Sequence, residues 1–169
     1  MSDAVTLTLA TQPTQTLVAD CIAADRFAAL GAQEIAALPV VHGGRPATLG
    51  AFFEVRGERA SVVRITGDCR RVEAIGTGMA GGELVIDGSV GRDVGLAMSG
   101  GRIDVRGNAG ANTGGAPAGA ARGMTGGEII VRGSVGDDAG ARMRRGLLVV
   151  VERPSRPGAT GPGVAVRGS

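Results

Sequence analysis

Apolar and polar residues alternate in short bursts along most of this chain, and the bursts are spaced by glycine. Val5, Leu7 and Leu9 alternate with Thr6 and Thr8, which predicts a short strand with one buried face. Ala23 to Leu38 carries Phe27, Leu30, Ile35 and Leu38 at broadly helical spacing, broken at Gly31 and closed by Pro39, so two short helices are expected there. Residues 47–56 alternate again as an extended segment, and Gly57 marks a turn.

From Gly76 onward the pattern repeats. The first copy is Gly78-Met-Ala-Gly-Gly-Glu-Leu-Val-Ile-Asp-Gly-Ser-Val-Gly91. The next runs from Met98 through Gly100, Gly101, Ile103, Val105, Gly107 and Gly110, and a third from Met124 through Gly126, Gly127, Ile129, Val131, Gly133, Gly136 and Gly140. A fourth begins at Met143 and ends in Leu147 to Val151, and a degenerate earlier copy lies at Val63 to Gly67 with Ile75 and Gly76. Met79 to Met98 and Met124 to Met143 are each 19 residues, and the longer step from Met98 to Met124 places an insertion at Gly114 to Arg122. A period near 20 has no room for two ordinary helices, and each copy centres on a five-residue alternating segment, so each copy is one coil of a parallel β-solenoid. Glycine ends each segment because the chain bends there through backbone angles that a Cβ disfavours. The expected layout is an α/β N-terminal segment over 1–58, the solenoid over 59–151, and a disordered tail over 152–169, where Pro, Gly and Arg replace the repeat.

The register assigns faces. Leu84 and Ile86 inward place Ile103 and Val105, then Ile129 and Val131, then Leu148 and Val150 above them. Met79, Met98, Met124 and Met143 form a third inner column, and Val90, Ala109 and Val135 a fourth. Each fully buried member contributes about 1.5–3 kcal/mol at roughly 25 cal/mol per Å² of apolar area. The outward positions are Glu83, Val85 and Asp87, then Arg102, Asp104 and Arg106, then Glu128, Ile130 and Arg132. They predict a solvated, charged face on which Glu83, Arg102 and Glu128 alternate in sign. In the fourth strand the outward residues Leu147, Val149 and Val151 are apolar, so a partner subunit, a further rung or the chain's own N-terminal segment is expected to cover it.

Composition fits a narrow interior: 31 residues are Gly, and Phe27, Phe52 and Phe53 are the only aromatics. The net charge is +2, and neither a basic run nor interleaved aromatics suggest nucleic acid. All 18 basic residues are Arg. Cys21 and Cys69 lack metal or disulfide spacing, and no apolar stretch is long enough to span a membrane or to serve as a leader, so a soluble, cytoplasmic protein is expected.

Tests for chemistry are negative. His42, the sole histidine, falls in a polar loop beside Gly43 and Gly44 without a second ligand at metal spacing. Asp137 and Asp138 are adjacent and point different ways, which does not suit paired acid and base work. Gly76-Thr-Gly78-Met-Ala-Gly81 matches a dinucleotide fingerprint by letter but precedes a strand and opens no helix. Ser61, Ser89, Ser99 and Ser134 have no neighbouring base. No catalytic or metal-binding residue is expected. Arg142, Arg144 and Arg145, with Arg92 and Arg122 at related positions, are the one cluster suited to an anion such as a polyglutamate cofactor tail.

The repeat Gly-Met-x-Gly-Gly-x-Leu/Ile-x-Val/Ile-x-Gly-x-Val/Ala-Gly resembles the glycine-rich solenoid of the formylmethanofuran dehydrogenase C subunit, and also that of the C-terminal domain of glutamate synthase large subunits. The leader Ala32-Gln-Glu-Ile-Ala-Ala-Leu-Pro-Val40, followed by Leu49-Gly-Ala-Phe-Phe-Glu-Val55 and Gly57, is similar to the one that precedes the solenoid in that C subunit, and the likeness covers roughly residues 5–151. The resemblance implies a right-handed β-helix that serves as a non-catalytic subunit, with the bacterial formyltransferase/hydrolase form favoured by the all-Arg composition. It implies amidohydrolase-like, formyltransferase-like and B-subunit-like partners. A methanofuran-type carrier and metals would be held in those partners, and this chain would bind no cofactor of its own. The glutamate synthase likeness implies instead a scaffold of an amidotransferase.

Overall fold

The computed structural model describes residues 3–151 and the backbone of 164–167. Strand β1 (Val5–Leu9) and the two-residue β2 (Leu17–Val18) precede two one-turn helices, α1 (Ala24–Phe27) and α2 (Ala32–Ala36). Strands β3 (Pro39–His42) and β4 (Arg45–Thr48), a 3-10 turn at Leu49–Ala51 and β5 (Phe53–Arg56) complete the N-terminal part. The repeats then supply β6 (Val62–Thr66), β7 (Val72–Glu73), β8 (Glu83–Asp87), β9 (Arg102–Val105), β10 (Glu128–Val131) and β11 (Leu147–Val150), and β12 (Val164–Arg167) follows. The protein is β-rich with little helix.

One sheet runs β12-β11-β10-β9-β8-β6-β1-β5 and the other β4-β3-β2-β7. From β1 to β11 the larger sheet is parallel, one rung on the next, while the strands at its two ends are antiparallel. The repeat strands thus stack in parallel as expected, while β5 and β12 make the sheet as a whole mixed. The end strands arrive from outside the repeat, so the winding direction of the rungs does not bind them. Between strands the backbone stays bonded to the rung below, as in Gly110 N–H to Gly91 O (3.0 Å) and Gly136 N–H to Ala109 O (3.1 Å).

The expected columns form and extend further than the repeat. Val5, Val63, Leu84, Ile103, Ile129 and Leu148 stack in one, and Leu7, Ile65, Ile86, Val105, Val131 and Val150 in the next, all buried. Met79, Met98 and Met124 are fully buried and Met143 partly so. Each of the three buried methionine methyls lies under a glycine of the following rung: a Cβ at Gly101, Gly127 or Gly146 would come within 2.9, 2.9 or 2.8 Å of it. Cys69 heads the Val90, Ala109, Val135 column by its parallel bridge to Val90. The N-terminal chain forms a coil of its own, because β1 lies on β6, β2 lies on β7, and Gly76 N–H donates to Ile22 O at 2.7 Å.

Two local expectations are corrected. His42 closes β3 and pairs with Arg45 across Gly43 and Gly44, whose φ of +55° and +81° make a tight hairpin turn in place of a loop. Residues 47–56 are interrupted by the 3-10 turn, which lets Leu49 bury before the strand resumes. In the tail, 164–167 pair antiparallel with β11 as β12; the expectation for the rest of the tail falls on residues 152–163 and 168–169, which lie outside the described residues.

Candidate interaction surfaces

The expected solvated face of the stack is only half solvated. Glu83, Arg102 and Glu128 stand in register as predicted, but among the described residues no ion pair joins them. In the middle of the strands Val85, Asp104 and Ile130 are 5%, 8% and 9% exposed. Parallel neighbours shield each middle position from above and below. The Arg132 side chain also folds back across the rung, so that Nη2 and Nε donate to the Asp104 carboxylate at 2.9 and 3.2 Å. That forked contact holds the Asp104 carboxyl below the usual carboxylate range, against the opposing effect of burial. Arg106 pairs with Asp87 on the rung below at 3.3 Å.

Polar residues at the corners also serve the stack. Ser89 Oγ accepts from Asn108 N–H (3.0 Å) and Asn108 Oδ1 accepts from Ser134 N–H (2.9 Å), one side chain per rung bonded to the next backbone. Asn112 Nδ2 donates to Asp93 Oδ1 (2.9 Å) and to Ala116 O (3.0 Å), tying the start of the insertion to the preceding corner. Sequence reasoning missed these ladders; the signal was the recurrence of Ser and Asn one residue before the Val90 column. His42 accepts at Nε2 from Gln15 N–H (3.3 Å) and its ring lies 4.9 Å from that of Phe52, a structural setting in the N-terminal part. In the Gly76 to Gly81 stretch, the N–H of Gly76 donates to Ile22 O and that of Gly78 to Leu96 O, so they are not free to cradle a phosphate. Asp137 and Asp138 are exposed at a corner. Ser61 and Ser99 are exposed. Cys21 and Cys69 are buried thiols, pushed up to about 11 and about 12 chiefly by desolvation. Among the described residues, no group of three His, Cys, Asp or Glu side chains is placed to hold a metal ion.

The arginine cluster is divided. Arg142 has φ +57° and turns its guanidinium onto Ala120 O, lining one depression with Asn112, Pro117 and Asp138. Arg144 and Arg145 join Arg122 and Thr125 around a second depression. Arg92 is 3.7 Å from the Asp93 carboxylate and faces a third hollow with Arg70 and Glu73. Neighbouring corner residues diverge, so closeness in sequence overstated the cluster. On the last full rung Leu147 and Val149 are half-buried and Val151 is 40% exposed. The open edge of this strand is taken by β12, while the N-terminal segment sits at the opposite end of the sheet, contrary to one expected way of covering it.

Strands bonded rung upon rung, with glycine at the corners and aliphatic columns inside, define a β-rich repeat protein. Known proteins narrow the class. The chain is 41% identical over 83 residues to the C subunit of molybdenum-containing formylmethanofuran dehydrogenase 1 of Methanosarcina barkeri, covering 46% of this chain and 28% of that protein. It is 36% identical over 91 residues to the C subunit of tungsten-containing formylmethanofuran dehydrogenase 2 of Methanothermobacter wolfeii, covering 51% of this chain and 34% of that protein. Its fold matches a chain in the crystal structure of the formyltransferase/hydrolase complex (FhcABCD) from Methylorubrum extorquens in complex with methylofuran. That match has a TM-score of 0.67 and 30% identity, over 85% of this chain and 61% of that one. No family model matches the chain. The chain is thus similar to the formylmethanofuran dehydrogenase C subunit over part of its length, and the matched stretch spans about a third or less of these curated proteins. No helix among the described residues is long and apolar enough to cross a membrane.

Proposed function

We propose that this chain is a non-catalytic structural subunit of a formyltransferase/hydrolase complex of the formylmethanofuran dehydrogenase type, acting in one-carbon metabolism as the scaffold on which catalytic subunits assemble. In this reading the stack is a right-handed parallel β-helix, and the amidohydrolase-like, formyltransferase-like and B-subunit-like partners hold the methanofuran-type carrier and the metals. The observation that carries the proposal is the likeness to a chain of the FhcABCD complex over 85% of this chain. A second support is the commitment of the corner polar groups to rung-to-rung bonds, which leaves them to hold the fold. The docking face is the outer side of β11, where Leu147, Val149 and Val151 present apolar surface at the end of the parallel ladder. An affinity tag on the chain in its native cells tests the proposal: formyltransferase-type and amidohydrolase-type companions should co-purify, and recovery of the chain alone would refute it. Val149→Arg with Val151→Glu should release those companions while leaving the melting temperature of the isolated chain nearly unchanged.

A further inference from the structure

The corner after each buried methionine is built from small residues: Ala80-Gly81-Gly82, Ser99-Gly100-Gly101 and Thr125-Gly126-Gly127. The reason is steric. A Cβ at Gly100 would strike the carbonyl oxygen of Ala80, and one at Gly126 would strike that of Ser99 on the rung below. In the fourth rung the same corner is Arg144-Arg145-Gly146. Its backbone follows the others, with the N–H groups of Arg144 and Arg145 donating to Met124 O at 2.8 and 3.4 Å, as those of Ser99 and Gly100 donate to Met79 O at 2.9 and 3.2 Å. Two large cations therefore occupy positions where the stack itself favours Thr and Gly. A break of the local rule without a packing gain points to a role outside the fold.

Arg122, at the end of the insertion, and Thr125 complete the rim of the depression beside them. All three arginines are exposed, and within the described residues no carboxylate pairs with any of them. The nearby N–H groups of Thr125, Arg144 and Arg145 are already bonded to carbonyls of the rung below, so the corner has no backbone nest to enclose one phosphate. What it offers is three spread guanidinium forks, each able to take a carboxylate through two parallel N–H bonds. We infer that Arg122, Arg144 and Arg145 form a docking corner for an extended acidic polypeptide segment of a partner protein. Arg142 lies outside this corner because its guanidinium is tied to Ala120 O and lines the other depression. The inference rests on the corner's own geometry and stands apart from the identity of the complex the chain serves.

The test uses the purified full chain and a fluorescein-labelled peptide of alternating Asp and Ser, at low salt. The double variant Arg144→Thr, Arg145→Gly restores the Thr-Gly corner of the third rung. It should keep or raise the melting temperature and weaken peptide binding at least about ten-fold. A control double variant, Arg26→Thr with Arg45→Thr, removes the same charge at the N-terminal end and should bind as the parent does. An affinity that falls steeply with added salt is expected. Absence of peptide binding by the parent, equal loss in the control, or displacement of the peptide by citrate or inorganic phosphate at equal concentration would overturn the inference, the last by identifying a small-anion site.

Discussion

Replacing Gly95 by Ala tests how the corners and the core depend on each other. A Cβ at Gly95 would lie 2.5 Å from Ile129 Cδ1 and 3.4 Å from Ile103 Cδ1, and the backbone there has φ +65°. Two costs follow. Holding an L-residue in the left-handed region costs about 1–2 kcal/mol, and the lower end applies because Ala74 and Ala97 already occupy such corners at φ +65° and +54°. Displacing the Ile129 side chain from its rotamer in a filled interior costs about 1–2 kcal/mol more, since Ile129 is fully buried between Ile103 and Leu148. Gly95→Ala should therefore lower stability by about 2–4 kcal/mol. Ile129→Val alone should cost about 1 kcal/mol, the loss of one buried methyl. Valine has no Cδ1, so it also removes the atom that the added methyl would strike. The double variant should then be more stable than the two single losses together imply, by about 1–2 kcal/mol. Equilibrium urea denaturation of the four proteins, followed by far-ultraviolet circular dichroism, measures the cycle. Losses additive within about 0.5 kcal/mol would refute the claim that the glycine is there to admit the isoleucine.

Val105→Asp puts a carboxylate between the fully buried Ile86 and Val131 and should abolish the cooperative unfolding transition in calorimetry, because an unpaired buried charge cannot be offset there. Asp104 is held below its ordinary range by Arg132, so its contribution is fully present above the unfolded value near pH 4 and is lost as the pH falls through the lower folded value. Asp104→Asn should cost about 1 kcal/mol at neutral pH and flatten the acid limb of the stability curve in urea titrations between about pH 5 and 2. Cys21 and Cys69 are raised to about 11 and about 12, so a thiol-reactive dye should leave both unmodified in the native protein at neutral pH and label both in denaturant. Folding keeps these thiols neutral, so stability is full below the unfolded value near about pH 8.5 and should decline as the pH rises through the folded ones.

The rungs were legible because the features that set them recur in the chain: a methionine needs a bare corner above it, and Gly101, Gly127 and Gly146 return at the spacing of Met98, Met124 and Met143. The N-terminal coil was not. Its strand Val5–Leu9 is recognisable alone, but α1, α2 and β3 to β5 separate it from Val62–Thr66, so no period records that Val5 stacks on Val63. The outer face was misjudged for another reason. Alternation assigns one side of a strand to solvent, yet Val85, Asp104 and Ile130 are covered because parallel neighbours shield them and Arg132 reaches diagonally from one rung to the next. A diagonal contact between rungs of unequal length leaves no trace in sequence spacing. The arginine cluster was read from adjacency, and the corner geometry that sends Arg142 toward Ala120 and Arg144 toward Arg122 depends on the insertion, which the repeat does not describe.

The two ends of the parallel ladder differ in a way that bears on function. At the N-terminal end the outermost strands are β5, with the exposed ion pair Glu54–Arg56, and β4, with Pro46. Charge and proline on an edge strand resist pairing with another chain. At the other end the fourth rung departs from the repeat twice: its outward residues turn apolar at Leu147, Val149 and Val151, and its corner carries Arg144 and Arg145 in place of Thr and Gly. In a stack each rung contacts only its neighbours, so a departure in an inner rung disturbs two interfaces between rungs, while one in the last rung of the ladder disturbs a single parallel interface. The last rung is thus where a surface for a partner costs the fold least, and both of the departures that packing does not require are found there.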